Sequence, residues 1–407
     1  MAGQAPGNTP SGSGRPPGRD DAGGSWLYNP AVRGAAYQLA LAVAVGFILY
    51  EASVNAIANM RRLGIVSGFD FWNAPAGFDI NQKLIAYSST YSTYGDAFWV
   101  GLLNTLLVAG MGIVLATVLG FIVGVARLSG NRIISVIATS YVEFFRNIPL
   151  LLQLYVWYNA VLRALPAPRQ SVTMGDAVFL NNRGLFVPDP VFGPGSDYLF
   201  IAAILACAAI LLYRRWARRD QDATGRQHPA GLVSLALLAG FMAAGWLAAG
   251  QPVTFNVPEL RGFNIVGGLQ VYPEFVALLL GLSIYTASFI AEIVRAGILS
   301  VSRGQTEAAY SLGLRPGVTQ RLVIIPQAMR VIVPPLTSQL LNLTKNSSLA
   351  VAIGYPDLVQ VFMGTVLNQT GQAIECVVIT MLVYLLLSLL TSLAMNIYNR
   401  RVAIIER

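Results

Sequence analysis

The chain has 407 residues, of which 55% are hydrophobic and 11% charged. A soluble protein carries about 25% charged residues, so this composition excludes an ordinary soluble domain. The formal net charge of +8 looks like a nucleic-acid signal but is better explained by loop topology, as set out below; the surrounding partner expected from the composition is membrane lipid, with no nucleic acid.

Residues 1–25 are rich in Gly, Pro, Ser and Asp without apolar periodicity, so the segment 1–33 is expected to be a disordered tail. It is too long and polar for the charged region of a signal peptide, and no cleavage is expected. Apolar runs then recur near 34–51, 98–126, 133–162, 197–213, 231–249, 273–298, 329–353 and 373–397. Spanning the hydrocarbon core takes roughly 20 apolar residues, so the expected fold is all-α, a polytopic membrane bundle of about eight transmembrane helices. The fourth and fifth runs are the weakest, one short and the other rich in Ala and Gly.

Eight spans place both termini on one side. Segments sharing that side hold 17 of the 27 basic residues, and the opposite side holds 7; Arg146, Arg295 and Lys345 fall inside spans. The positive-inside rule then predicts cytoplasmic termini, with 52–97, 163–196 and 250–272 on the outside. Those three segments are rich in aromatic residues, Pro and Gly. They suit either a platform for an external partner or packing around the bundle.

Between the sixth and seventh runs lies a polar island, Ser302 to Pro326. Ser302 and Gln305 have the spacing of a capping box. Gly313 suits the left-handed position that ends a helix, and Pro316 suits the first turn of the next. A rigid helix pair between two spans transmits force, and what moves it must belong to another chain.

Other chemistry is sparse. Cys207 and Cys376 both lie in apolar runs and the single histidine, His228, lies in a charged loop, so no disulfide framework, metal site or acid–base cluster is expected. No G-x-x-x-x-G-K-[ST] run occurs, so the chain has no P-loop, and it is not an enzyme by itself. Charges inside spans are expensive and usually functional, which singles out Glu143, Arg146, Glu292, Arg295 and Lys345. Glu143 with Arg146, and Glu292 with Arg295, are three apart and share helix faces. Each pair either neutralises itself or serves the pathway. Counting about 1.5 Å per residue from the cytoplasmic ends places Arg146 and Lys345 near mid-membrane, roughly 20–24 Å in. Lys345 has no acidic residue within four positions, so a carboxylate from outside the chain is a candidate partner. Pro149 and Pro334-Pro335 interrupt spans three and seven. They are either packing kinks or the broken helices that line a transport cavity.

Glu307-Ala308-Ala309, Gly313 four residues on, and Val323-Ile324-Ile325-Pro326 resemble the EAA loop of bacterial ABC importer permeases. That motif has Ile and Leu where this chain has Val323 and Ile325. Gly101-Leu102-Leu103-Asn104-Thr105-Leu106, Glu143 to Leu151, Ala291 to Ile298 and Lys345-Asn346-Ser347-Ser348-Leu349 resemble the polar amino-acid branch of the same family. The resemblance covers roughly 98–160 and 273–400. It implies the transmembrane core of a type I ABC importer over 98–162 and 273–400, with Glu307, Ala308, Ala309, Gly313 and Pro326 in the coupling loop. It also implies a cytoplasmic ATPase dimer that holds ATP and Mg, a second homologous permease and a periplasmic amino-acid-binding protein in the inner membrane system. The extra span within 34–97 and the insert 163–272, with two more spans, look like the layout of general L-amino-acid permeases. The substrate-pathway candidates remain those singled out by the cost of charge inside a span: Arg146, Lys345, Glu292 and Glu143. Two rivals stand: an ion-coupled secondary amino-acid transporter, and an ABC permease for another small zwitterion.

Overall fold

The computed structural model describes residues 30–63, 68–175, 177–250 and 253–402. The tail expected to be disordered lies outside the described residues up to position 29. Helix α1 (Pro30–Leu63) is a unit by itself. It carries one apolar stretch, Val32–Asn59, long enough to cross a bilayer, with large hydrophobic side chains such as Leu41, Phe47 and Tyr50 exposed along it.

The second unit begins at Ser67. Its first helix, α2 (Tyr94–Ala126), starts earlier than the apolar run because Thr93 and Asp96 form a capping box. The Asp96 amide donates to Thr93 Oγ1 at 3.2 Å, and the Thr93 amide donates to Asp96 Oδ2 at 2.8 Å. Residues 68–93 fold back on this end, burying Phe71, Ala76, Ile80 and Tyr87 against Tyr94, Phe98 and Phe362. This part of the segment 52–97 therefore packs on the bundle.

Span three is broken into α3 (Arg132–Asn147) and α4 (Leu150–Tyr155), with a π-helical continuation to Leu162. Ile148 and Pro149 are extended between them. Proline cannot donate, and the break leaves carbonyls that lipid cannot satisfy. The buried Gln153 side chain fills them, donating to Phe145 O and Ile148 O at 2.9 Å each.

The insert contains short strands that its aromatic and Pro/Gly-rich composition did not reveal. They are β1 (Val172–Met174), β2 (Val178–Asn181), β3 (Gly184–Val187) and β4 (Asp189–Phe192) before helices α5 (Asp197–Thr224) and α6 (Ala230–Ala248). After the helices come β5 (Val253–Asn256), β6 (Glu259–Arg261), β7 (Asn264–Val266) and β8 (Leu269–Val271). β8 returns antiparallel to β3, with Leu185 opposite Val271, and β4 pairs with β5, with Asp189 opposite Asn256. The two helices pack mainly on each other, and most of their apolar side chains face outward.

Helix α7 (Pro273–Leu299) is the centre of the bundle, packed against α2, α3 and α4. Its approach to α2 depends on Gly120 and Gly124. A Cβ at Gly124 would lie 2.8 Å from the Ala291 carbonyl, and one at Gly120 would lie 2.6 Å from Ile290 Cβ, the close backbone contact that small residues permit in membranes. Beyond α7 follow α8 (Arg303–Ser311), α9 (Pro316–Thr319), a π-helical turn over Gln320–Ile324, and α10 (Ile325–Asn346). α10 runs unbroken through Pro334 and Pro335, tightens to a 3₁₀ turn over Ser347–Ile353, and ends at Gly354. A π-helical segment Val359–Val366, α11 (Leu367–Thr370) and α12 (Ala373–Val402) complete the described chain. Among the described residues six helices are long and apolar enough to cross a membrane: α1, α2, α5, α6, α7 and α12. The third and seventh expected spans are present as the segmented helices α3–α4 and α10.

Candidate functional site

The loop 302–326 reverses the chain through two short helices. Ser302 is the N-cap of α8, but its side chain makes no capping hydrogen bond, so the expected capping box is not formed. Gln305 instead accepts from Gln327 Nε2 at 3.3 Å, tying α8 to the start of α10. The other end matches its punctuation. Gly313 sits at φ +76°, its amide donates to Tyr310 O at 2.9 Å, and the Leu314 amide donates to Ala309 O at 3.1 Å. This pair of bonds is a Schellman motif. Arg315 is extended, and Pro316 opens α9, which runs helically into α10 with Pro326 in its first turn. Ala309 is buried, whereas Glu307, Ala308, Gly313 and Pro326 are exposed. Tyr310, Leu312, Val318 and Leu322 also face solvent, Leu312 at 80% exposure. A depression of about 560 Å³ lies beside them, lined by Arg315, Gly317, Val318, Arg321 and Leu322. Exposed apolar side chains thus stand beside two arginines on this turn, the make-up of a surface patch that a partner can cover.

Within the bundle, α2, α3 and α7 meet at a charge node. Glu292 of α7 accepts a short hydrogen bond from Arg127, the residue that ends α2. Its other oxygen lies 3.3 Å from Arg295 Nη1, and Arg146 Nη1 of α3 approaches to 3.8 Å. The Arg127 side chain is only 7% exposed. Arg146 also lies over the Phe289 ring, 5.1 Å from its centroid, a cation–π contact. The structure thus brings Arg146, Glu292 and Arg295 together around a residue that loop topology had assigned to a surface count. Glu143 does not join them. Its side chain is exposed and forms no ion pair with Arg146 or any other described residue.

Lys345 stands apart from the node, in the last turn of α10. Its side chain is exposed and makes no hydrogen bond or ion pair among the described residues.

Three further residues were missed as participants. Asn104 and Thr105 of α2 are fully buried and latch the turn that follows α10. Asn104 Nδ2 donates to Pro356 O at 2.9 Å and to Gln82 O at 2.8 Å, and Thr105 Oγ1 accepts the Leu358 amide at 3.0 Å. Asp357, also buried, accepts from Tyr384 Oη of α12 at 3.0 Å and from the Gln360 amide at 2.9 Å. The only signal for this latch was the stretch Gly101 to Leu106, whose role could not be read from its spelling.

At the end of α7 opposite the loop 302–326, an open cavity of about 490 Å³ is lined by Asn81, Gln82, Lys83, Leu107, Tyr272 and Phe275, among others. Lys83 is held there by Asp79 at 3.3 Å and by Tyr87 O at 2.9 Å. Burial, with Asp79 and Asp96 nearby, pushes the Tyr87 hydroxyl up to about 12. It stays protonated and donates to Phe78 O at 3.0 Å.

Residues 116–404 match the family described as the binding-protein-dependent transport system inner membrane component. The chain is 53% identical over 380 residues to the putative amino-acid ABC transporter permease protein YhdX of Escherichia coli, covering 93% of this chain and 96% of that one. It is 51% identical over 384 residues to the general L-amino acid transport system permease protein AapQ of Rhizobium johnstonii, covering 94% and 95%. Against the glutamate/glutamine/aspartate/asparagine transport system permease protein BztB of Rhodobacter capsulatus it is 44% identical over 385 residues, covering 87% and 89%. Matches of this length leave no room to omit the insert 163–272. The extent of the family match and of the near-full-length sequence similarity decides the assignment: the chain belongs to the binding-protein-dependent transport system inner membrane components, the membrane-integral permease subunits of ABC importers.

Proposed function

We propose that this chain is one permease subunit of an ATP-driven importer for polar or general L-amino acids. The observation that carries the reading is the near-full-length similarity to three amino-acid permeases, joined to a coupling loop whose Schellman turn gives it one fixed shape. The loop 302–326 docks on a cytoplasmic ATPase dimer, which holds ATP and Mg. Closure of that dimer pushes on Glu307, Ala308 and Ala309. The push passes to α7 directly and to α10 through the helical path from Pro316. A second, homologous permease completes the pore, and a periplasmic binding protein delivers the solute at the opposite end.

Within the pathway Lys345 is the candidate for the α-carboxylate, because its ammonium has no partner among the described residues. Arg146 is a weaker candidate, since Glu292 already shares its charge. Glu292, surrounded by three guanidinium groups, is occupied as an acceptor for a substrate ammonium. The domain reading keeps 98–162 and 273–400 as the conducting core.

The test is uptake of radiolabelled amino acids by vesicles containing the chain and its partners. Uptake should require both ATP and the binding protein; uptake driven by an ion gradient alone would establish the secondary-transporter rival. Orientation is tested separately. In a Cys207→Ser background, Asp222→Cys should resist an impermeant thiol reagent in cells stripped of their outer membrane. Ready labelling would place the α5–α6 turn outside.

A further inference from the structure

At one end of the α5–α6 hairpin the apolar run of α5 stops at Tyr213, and Arg214, Arg215, Arg218 and Arg219 follow at once, with Arg226 in the turn. All five side chains are exposed, and none forms an ion pair among the described residues. Of the two acidic residues in the stretch, Asp220 is engaged by His228 Nε2 at 2.7 Å. A depression of about 260 Å³ opens between the helices, lined by Arg214, Ala217, Arg218, Gln221, His228 and Ala230. Arg214 is oriented there by its Nε, which donates to Ser234 Oγ of α6 at 3.1 Å, leaving its terminal nitrogens free to bind. The α6 N-terminus at this point has no side-chain cap and adds its partial positive charge.

We propose that this depression binds the phosphate headgroup of an anionic phospholipid. Arginine presents a planar fork of donors that matches a phosphate in two-point geometry, and two such forks line the depression. Depth selects lipid over a soluble anion. Trp216, whose ring lies 4.8 Å from His228 and 5.8 Å from Tyr213, belongs with the aromatic residues that mark a membrane–water interface. On the bilayer side the same hairpin exposes Leu211, Leu212, Leu232 and Leu235, an apolar wall along which acyl chains can lie. A free phosphate or nucleotide would use the charges and leave that wall unused. Because the hairpin packs mainly on itself, a bound lipid would fix its height in the bilayer. The inference needs the chain to be membrane-integral and is independent of which solute it carries.

The experiment takes the complex purified with its partner subunits in detergent and counts retained lipid by native mass spectrometry. Mixed micelles of phosphatidylglycerol or phosphatidylcholine supply the lipid, with and without inorganic phosphate. The unaltered complex should retain phosphatidylglycerol in clear preference to phosphatidylcholine. Arg214→Gln with Arg218→Gln should weaken that retention about twenty-fivefold, since each arginine near a charged headgroup contributes roughly a factor of five. Arg214→Lys with Arg218→Lys should keep part of it. If the double variant fails to assemble, Arg218→Gln alone serves, because Arg218 makes no hydrogen bond or ion pair among the described residues; it should lose about fivefold. Equal retention of the two lipids, or an undiminished preference in the variants, overturns the proposal. So does displacement of the lipid by inorganic phosphate, which would indicate a soluble anion. Loss of a partner subunit in place of lipid also overturns it, by making the arginines a protein contact.

Discussion

Arg146 Nη1 of α3 lies 3.8 Å from Glu292 Oε2 of α7, on the same oxygen that Arg127 engages. One carboxylate thereby ties the end of α2, the middle of the bundle's third span and α7. Removing it leaves the buried Arg127 guanidinium without a counter-charge, the situation that costs most in a buried ion pair. Glu292→Gln should lower stability by about 3 kcal/mol, read as a fall in the thermal unfolding midpoint in detergent. Replacing Glu292 and Arg127 together by Met should recover most of the loss, and the double-mutant cycle should show strong coupling. A Glu292→Gln protein as stable as the original would remove the node from the stability argument.

The latch between α2 and the turn after α10 makes a second prediction. Thr105→Val keeps the shape but leaves the buried Leu358 amide without its acceptor, at a cost of about 1–3 kcal/mol. Hydrogen exchange should quicken at Asp357–Leu358 before it does elsewhere in the bundle. Asn104→Leu should be worse, since two carbonyls, of Gln82 and Pro356, lose their donor at once. Unchanged exchange in both variants would show that the turn is held by other contacts.

At Gly313 the surroundings are open, with no heavy atom within 4 Å of where a Cβ would sit. The constraint is therefore the backbone alone, at φ +76°. A side chain there costs roughly 1–2 kcal/mol in the left-handed region, and asparagine tolerates it best. Uptake and ATP hydrolysis should uncouple in Gly313→Val, with membrane insertion intact, while Gly313→Asn should keep most of the activity. Equal transport by both variants would separate the turn from coupling.

Lys345→Met keeps the length of the side chain and removes its charge. If Lys345 meets the substrate carboxylate, half-saturation for uptake should rise about ten- to a hundredfold, corresponding to a charge-assisted hydrogen bond of roughly 1.5–3 kcal/mol. Assembly is checked alongside by co-purification of the partner subunits. An assembled variant with unchanged half-saturation excludes Lys345 from the site.

What could be read beforehand was what local rules or the bilayer impose. Long apolar runs must become helices in lipid, and Gly313 with Pro316 punctuates the chain within a few residues. The partners of Glu292 were harder. Arg295 is three residues away and visible by helix periodicity, but Arg127 is 165 residues away and looked like a loop charge. Asp357 lies in a short turn whose burial comes from Tyr384 and from α2, contacts that no spacing announces. The strands of the insert run three or four residues each, too short for alternation to stand out from aromatic loop composition.

The pairing of Leu185 with Val271 means that the chain leaves the core and re-enters it at one point, with everything between forming a closed excursion. An element joined to its host through two adjacent strand ends disturbs nothing in the host when it lengthens, shortens or arrives as a piece. Loop-closure entropy grows only slowly with the length enclosed, so the excursion adds little to the difficulty of assembling the helices on either side. The α5–α6 hairpin is thus placed where evolution can graft new surface onto a transport core without renegotiating the contacts of α2 and α7.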